Sequence, residues 1–247
     1  VLSSCGKRSP AEKTADAGAE GELTIAMIPK CTSAEFWETV ESGAREAADR
    51  LGVRIKWEGT VTETEIAEQN RIIENMINLQ VDGIALAPLN RKAMRKKVED
   101  AVEAGIPVVV FDSAVDGDAH AGFVATNNRK GGSMGADQMV KLLGGKGTVM
   151  VQRYVQGTGS TEARAEGFIE TVKAAGLIVA TDPYAEDGTV AGCKKTAVNT
   201  LEGFIRDGAL ELHGIFCCND RSSLGMLAAL DDIRKSGVRT PTKFIAF

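Results

Sequence analysis

Histidine is scarce in this chain: His120 and His213 are the two in 247 residues. The five cysteines include no C-x-x-C pair, so a zinc site built from closely spaced Cys and His is not expected. No apolar run is long enough to span a bilayer. Basic excess is also missing. Lys and Arg number 29 against 34 Asp and Glu, giving a net charge of −5 and a pI near 5.3. That balance argues against nucleic acid as a partner. The one basic cluster, residues 91–97, runs into Glu99, Asp100 and Glu103 and reads as a solvated helix face. Catalytic signatures are weak. Pro29-Lys30-Cys31 stands where a dinucleotide-binding fold would carry G-x-G-x-x-G. Gly157-Thr158-Gly159-Ser160 precedes a helix and could cradle an anion, but it lacks the Lys-Ser/Thr ending of a P-loop. A catalytic reading is therefore poor, and neither a cofactor nor a metal is expected.

What is present is a run of short apolar segments. Val81-Asp82-Gly83-Ile84-Ala85-Leu86-Ala87-Pro88 and Gly105-Ile106-Pro107-Val108-Val109-Val110-Phe111 read as strands buried on both faces. Between them, residues 91–104 fit a helix with Met94, Val98, Ala101 and Val102 on one face. Gly105 stops that helix and Pro107 opens the next strand. Asp112 and Ser113 then fall at the carboxyl end of a parallel strand, where open α/β sheets bind ligands.

The alternation continues along the chain. Strands are expected at 23–28, 53–57, 121–125, 146–151, 177–181, 214–218 and 243–247. Helices are expected at 34–51, 63–79, 128–143, 161–175, 190–204 and 222–236. In the first helix Phe36, Val40, Ala44, Ala47 and Leu51 stand near helical spacing. Strict alternation predicts parallel sheets with helices on both faces. The rhythm restarts after Thr126-Asn127-Asn128, which predicts two Rossmann-like lobes, 22–126 and 127–247. The chain ends inside an apolar strand, so the second lobe is expected to be incomplete through C-terminal truncation. Cys217 and Cys218, adjacent in one strand, should point to opposite faces, and buried free thiols are favoured over disulfides.

Residues 1–21 differ from the rest. Leu2-Ser3-Ser4-Cys5 resembles a bacterial lipobox, with small residues before the cysteine and an apolar residue three before it. Val1 and Leu2 would then be the tail of a signal peptide, and Cys5 the acylated residue. The following stretch, rich in Ala, Glu, Lys and Gly, reads as a flexible tether.

From Leu23 onward the chain resembles the type I periplasmic sugar-binding proteins, the ribose-binding kind, which share a fold with the LacI-type regulator core. The resemblance rests on Thr24-Ile25-Ala26-Met27-Ile28, Phe36-Trp37, Gly43-Ala44-Arg45-Glu46-Ala47-Ala48 and the Val81 and Gly105 runs. It rests further on Asn127-Asn128 with Gly131-Gly132, Ala163-Arg164 with Glu166-Gly167-Phe168, and Asn219-Asp220 with Leu224-Gly225. A regulator is not expected, since the 22 residues before Leu23 hold no helix-turn-helix pattern. The resemblance implies two lobes that close by hinge bending near 126–128 on a small sugar. It also implies a partner ABC permease, a monomer, and a site on the periplasmic side of a bacterial envelope, lipid-anchored through Cys5. A receptor that signals to a membrane kinase or chemoreceptor is the alternative.

Carried over residue by residue, the resemblance implies ligand stacking by Phe36 and Trp37 and polar grip by Asp112, Arg164 and Asn219. A carboxylate, a guanidinium and an amide suit the paired hydroxyls of a sugar, and an aromatic ring suits its apolar face. Each position has a plainer reading. Trp37 could be core, because it and Phe36 cannot both face inward. Asp112 could cap a helix, Arg164 could pair with Glu162 and Glu166 at the surface, and Asn219 could be the N-cap of the next helix. Lys30, where the family has a small hydroxyl, could pair with Asp112, meet an anionic ligand, or sit exposed at the rim. Ser113 in place of arginine, and Ala34 and Ala87 in place of polar residues, point away from ribose itself.

Overall fold

A computed structural model describes residues 22–247. The lipobox and tether expected in residues 1–21 lie outside the described residues. The first half reads β1 (Thr24–Ile28), α1 (Glu35–Leu51), β2 (Arg54–Trp57), α2 (Ile66–Asn78), β3 (Gly83–Leu86), α3 (Arg95–Glu103), β4 (Val108–Phe111) and β5 (Gly122–Val124). The second half reads α4 (Asn128–Leu143), β6 (Thr148–Gln152), α5 (Gly159–Ala174), β7 (Ile178–Thr181), α6 (Val190–Glu202), β8 (Ile205–Arg206), β9 (Ala209–Leu210), β10 (Gly214–Cys217), α7 (Asp220–Lys235) and β11 (Lys243–Ala246).

Two parallel sheets result, ordered β2-β1-β3-β4-β5 and β11-β10-β6-β7. Reversed, the second order is β7-β6-β10-β11, the same winding as β2-β1-β3-β4. Each sheet therefore has a switch point, β1/β3 in the first and β6/β10 in the second, and ligand crevices open at the carboxyl ends of such strands. Apolar side chains fill both faces. Ile28, Ile73, Met76 and Leu86 pack on one side of the first sheet, and Trp37 with Ala87 on the α1 side. In the second sheet Cys217 joins the layer under α6 and α7, while Cys218 joins that under α4 and α5. The opposite-face expectation for these two cysteines is met, and Cys31, Cys193, Cys217 and Cys218 are all free and buried.

The sequence expectations need several corrections. Helix α3 begins at Arg95, because Asn90 Oδ1 accepts from the backbone N–H of Lys92 and Ala93 and holds 91–94 as turns. Val102 faces outward, while Met94, Val98 and Ala101 are buried. Along α1 the buried positions are Trp37 and Ala48; Phe36 and Leu51 face solvent. Residues 63–65 precede α2 and form a loop. After α6 the chain makes an antiparallel hairpin, β8–β9, turned by Asp207 (φ 48°) and Gly208 (φ 67°). Two central residues at positive φ suit an Asp-Gly hairpin turn. The string Gly131-Gly132-Ser133-Met134-Gly135 spells G-x-S-x-G, yet it lies inside α4, and Ser133 Oγ donates to Arg129 O. It is not a nucleophile on a strand-to-helix turn.

Glycine sets one contact that positions the site. A Cβ on Gly132 would collide with the Arg164 carbonyl, and one on Gly167 with the Arg129 carbonyl. The two bare positions let α4 and α5 approach closely and bring Asn128 beside Arg164.

Candidate ligand-binding cleft

A cavity of about 550 Å³ opens between the carboxyl ends of the two sheets. Lys30, Trp37, Glu63 and Asp112 line it from the first half of the chain, Arg164 and Asn219 from the second. Phe36 and Ser160 are also at its wall. The structure thus brings together all six sequence-predicted ligand residues, and adds Glu63 and Ser160.

Lys30 follows β1 and is 3% exposed, which overturns the rim reading. Its ammonium lies 2.6 Å from Asp112 Oδ2, and it donates to Ser113 Oγ at 2.6 Å and Ser160 Oγ at 3.1 Å. Two of the three ammonium protons are thus hydrogen-bonded to hydroxyls, and the charge is matched by the Asp112 carboxylate. A buried charge needs such compensation. Asp112 Oδ2 is itself buried, with the lysine as its partner at a distance of contact but outside hydrogen-bond geometry. Asp112 caps no helix; it sits at φ 62°, in the left-handed region that aspartate tolerates better than most residues. Its other oxygen, Oδ1, has no hydrogen-bond partner among the described residues, and the side chain reaches the cavity wall.

The anion cradle considered at residues 157–160 is already filled by protein groups. Gly157 N–H donates to Glu162 Oε1 at 3.1 Å, and Ser160 N–H to Ser113 Oγ at 3.1 Å. This turn is an interlobe contact. Thr158 Oγ1 donates to Leu89 O at 3.1 Å, and Arg91 N–H to Gly157 O at 3.0 Å.

Arg164 is not paired with Glu162 or Glu166, which hold Arg153 and Arg129 instead. Its Nε donates to Asn128 Oδ1 at 2.8 Å and its Nη1 to Cys218 O at 3.0 Å. The Phe247 ring lies 3.9 Å from its Cζ. Burial pulls its pKa down, and the nearby Asp112 charge opposes that shift. Two of five N–H donors are used in these bonds, so the remaining guanidinium edge is open to a ligand. Asn219 is the N-cap of α7, forming a capping box with Ser222. Its Oδ1 is occupied by the Ser222 N–H, which leaves the amide hydrogens for the cleft.

Trp37 is 2% exposed and Phe36 52% exposed, with ring centroids 4.9 Å apart in an edge-to-face pair. Trp37 is therefore both core and cleft wall. Its Nε1 donates to Glu63 Oε1 at 2.9 Å. Sequence reading missed Glu63 because it fell within an expected helix, and a charged residue there looks solvated.

The arrangement divides by chemistry. The first half of the chain presents the carboxylates of Asp112 and Glu63, with the Lys30 ammonium already matched by Asp112, while the second half presents the donors Arg164, in α5, and Asn219, at the N-cap of α7, beside the Asp220 carboxylate. Residues 25–246 match the model of the periplasmic binding protein domain. This chain belongs to the periplasmic binding protein family. It is 31% identical over 222 residues to the D-allose-binding periplasmic protein of Escherichia coli, covering 86% of this chain and 69% of that one. It is 28% identical to the D-ribose/D-allose-binding protein of Pseudomonas aeruginosa, covering 86% and 67%. Among solved structures, it is similar to an ABC transporter solute-binding protein of Agrobacterium vitis with bound D-fucose, at TM-score 0.82 and 32% identity, covering 91% and 76%. A carbohydrate transporter solute-binding protein of Agrobacterium radiobacter, in complex with D-arabinose, gives TM-score 0.83 at 29% identity, covering 93% and 77%. The fold is the type I periplasmic binding protein fold, and the family and its relatives are binding proteins.

Proposed function

We propose that this chain is a substrate-binding lipoprotein that captures a small sugar in the cleft and delivers it, as a monomer, to an ABC permease. The binding unit has two lobes, 22–126 and 127–247, with hinge bending near 126–128. The chain resides on the periplasmic side of a bacterial envelope, held to the membrane through acylated Cys5. The observation that carries the reading is the division of acceptors and donors across the cleft. A hydroxyl both donates and accepts, so a polyol lying between Asp112 on one side and Arg164 with Asn219 on the other satisfies both walls. Phe36 and Trp37 offer ring faces to the apolar side of the sugar. Lys30 acts through Asp112, whose buried oxygen it neutralises. The names of the relatives and the ligands in the similar structures support a monosaccharide.

A thermal-shift screen with D-ribose, D-allose, D-arabinose and D-fucose tests the reading, because any ligand of the folded state raises the melting temperature. Small-angle scattering at saturating sugar should show compaction, since only the closed state makes both sets of contacts. No shift with any monosaccharide overturns the sugar reading. Expression of the precursor in a bacterium tests the anchor: Cys5→Ala should release the protein from membranes, and unchanged partition would sink that part.

A further inference from the structure

We propose that Glu63 is a ligand-contacting residue that makes the cleft select uncharged sugars over acidic ones. The proposal rests on the sugar-binding reading and deepens it. Glu63 belongs to the loop between β2 and α2, and that loop is pinned to the segment after β1. Thr32 N–H donates to Thr60 O at 2.9 Å, Thr60 Oγ1 to Lys30 O, and Ser33 Oγ to Val61 O at 2.8 Å. The carboxylate is thus held on a fixed frame, as a preorganised site requires. Its Oε1 is taken by Trp37 Nε1 at 2.9 Å, with the Cys31 thiol a further 3.9 Å contact. Its Oε2 has no hydrogen-bond partner among the described residues, and the side chain lines the cavity. One oxygen is anchored and the other is presented.

Charge gives the selectivity. The cavity wall carries four carboxylates, Glu35, Glu63, Asp112 and Asp220, against two cations, Lys30 and Arg164. The Lys30 charge is already matched by Asp112, with two of its protons on Ser113 and Ser160. That leaves Arg164 facing an excess of negative charge. An acidic sugar would bring a further carboxylate beside Glu63 and meet like-charge repulsion in a partly desolvated cleft. A neutral sugar instead donates a hydroxyl to Glu63 Oε2, as to Asp112 Oδ1.

The test compares wild type, Glu63→Gln and Glu63→Leu by calorimetry against D-allose, D-ribose, D-arabinose and D-galacturonate, with thermal unfolding of each variant. Glu63→Gln keeps an oxygen for Trp37 Nε1, because that indole offers only a donor, and turns a donor toward the ligand. Wild type should bind a neutral sugar and reject D-galacturonate. Glu63→Gln should unfold like wild type yet bind the neutral sugar about tenfold more weakly, the effect of losing a charge-assisted hydrogen bond. It should also narrow the gap to D-galacturonate. If Glu63 only props Trp37, Glu63→Gln binds like wild type and only Glu63→Leu fails, which overturns the proposal. Equal wild-type affinity for D-galacturonate and the neutral sugars overturns it too. If no sugar binds wild type, the sugar-binding reading falls, and this proposal falls with it.

Discussion

Lys30 and Ser160 lie 130 positions apart in sequence and meet across the cleft, Nζ to Oγ at 3.1 Å. Lys30 stands two residues after β1, Ser160 in the first turn of α5. Ser113 completes the junction: it accepts from Lys30 and shares a 2.7 Å hydroxyl contact with Ser160. A charge pair in one lobe therefore has one donor satisfied by the other lobe. Cavity-lining Asp112 and the interlobe contact are coupled through one ammonium group.

The two ends of this junction should be separable. Lys30→Met leaves the Asp112 carboxylate desolvated and unpaired, and should lower unfolding stability by about 3–5 kcal/mol in urea titrations. Ser160→Ala removes only the interlobe arm. It should lower unfolding stability by about 1–3 kcal/mol, less than Lys30→Met, because the buried ammonium loses one acceptor but keeps Asp112 and Ser113, and it should weaken sugar binding by about 1 kcal/mol, roughly fivefold. Equal stability losses for the two variants would show that the junction is not divided in this way.

Asp112→Asn tests the ligand acceptor itself. Asparagine tolerates the left-handed backbone found here, so the loop should keep its shape. The exchange removes the charge opposite Lys30 and halves the acceptor capacity toward the ligand. Binding should fall by on the order of 2–5 kcal/mol in calorimetry. Asp112→Ala should lose a comparable amount of binding and about 1 kcal/mol more stability, from forcing an alanine into the left-handed region. Near-wild-type affinity in Asp112→Asn would move the site elsewhere in the cleft.

The fold was legible because the central strands are continuous apolar runs. Runs such as Val108–Phe111 and Gly214–Cys217 are apolar at every position, and this signature survives without knowledge of partners. Boundaries shifted where a side chain captured backbone groups, as Asn90 does before α3. The β8–β9 hairpin carried its signal, Asp207-Gly208, but its strands are two residues each and too short to show a period. The candidate site was half legible. Asp112, Arg164 and Asn219 fall at strand or helix ends, where position alone suggests a role. Glu63 meets Trp37 26 positions away and Ser160 meets Lys30 130 positions away, and no local pattern announces either contact. Asn219 shows that the plainer reading and the functional one need not compete: one end of its amide caps α7 and the other faces the cleft.

The aromatic pair should divide its labour. Phe36 is half exposed, so Phe36→Ala should change stability by less than about 0.5 kcal/mol while weakening sugar binding through lost stacking. Trp37→Phe removes the indole N–H that holds Glu63 Oε1. It should lower both stability and affinity, each by on the order of 1 kcal/mol. Trp37 and Trp57 are the two tryptophans of the chain, and Trp37 alone lines the cavity. Sugar should therefore change the fluorescence of the wild type and not that of Trp37→Phe. A ligand-induced signal of undiminished size in Trp37→Phe would place the reporter at Trp57 and the sugar away from α1.

The buried thiols make alkaline stability a test of the second sheet's core. Desolvation pushes Cys193 and Cys218 up to about 12, and Cys217 well above its ordinary value near 9. In the unfolded chain these thiols ionise from about pH 8.5. Above that pH the unfolded state loses protons that the folded state keeps, so stability is full below it and falls as pH rises toward 12. Each such group can contribute up to about 1.4 kcal/mol of loss per pH unit across that window. Urea midpoints measured at pH 7, 9 and 10.5 should decline over the last interval. A Cys217→Ala, Cys218→Ala double variant should start from lower stability, through lost packing, but decline less steeply. Identical slopes for the variant and wild type would show that these thiols ionise in the folded protein as readily as in the unfolded chain.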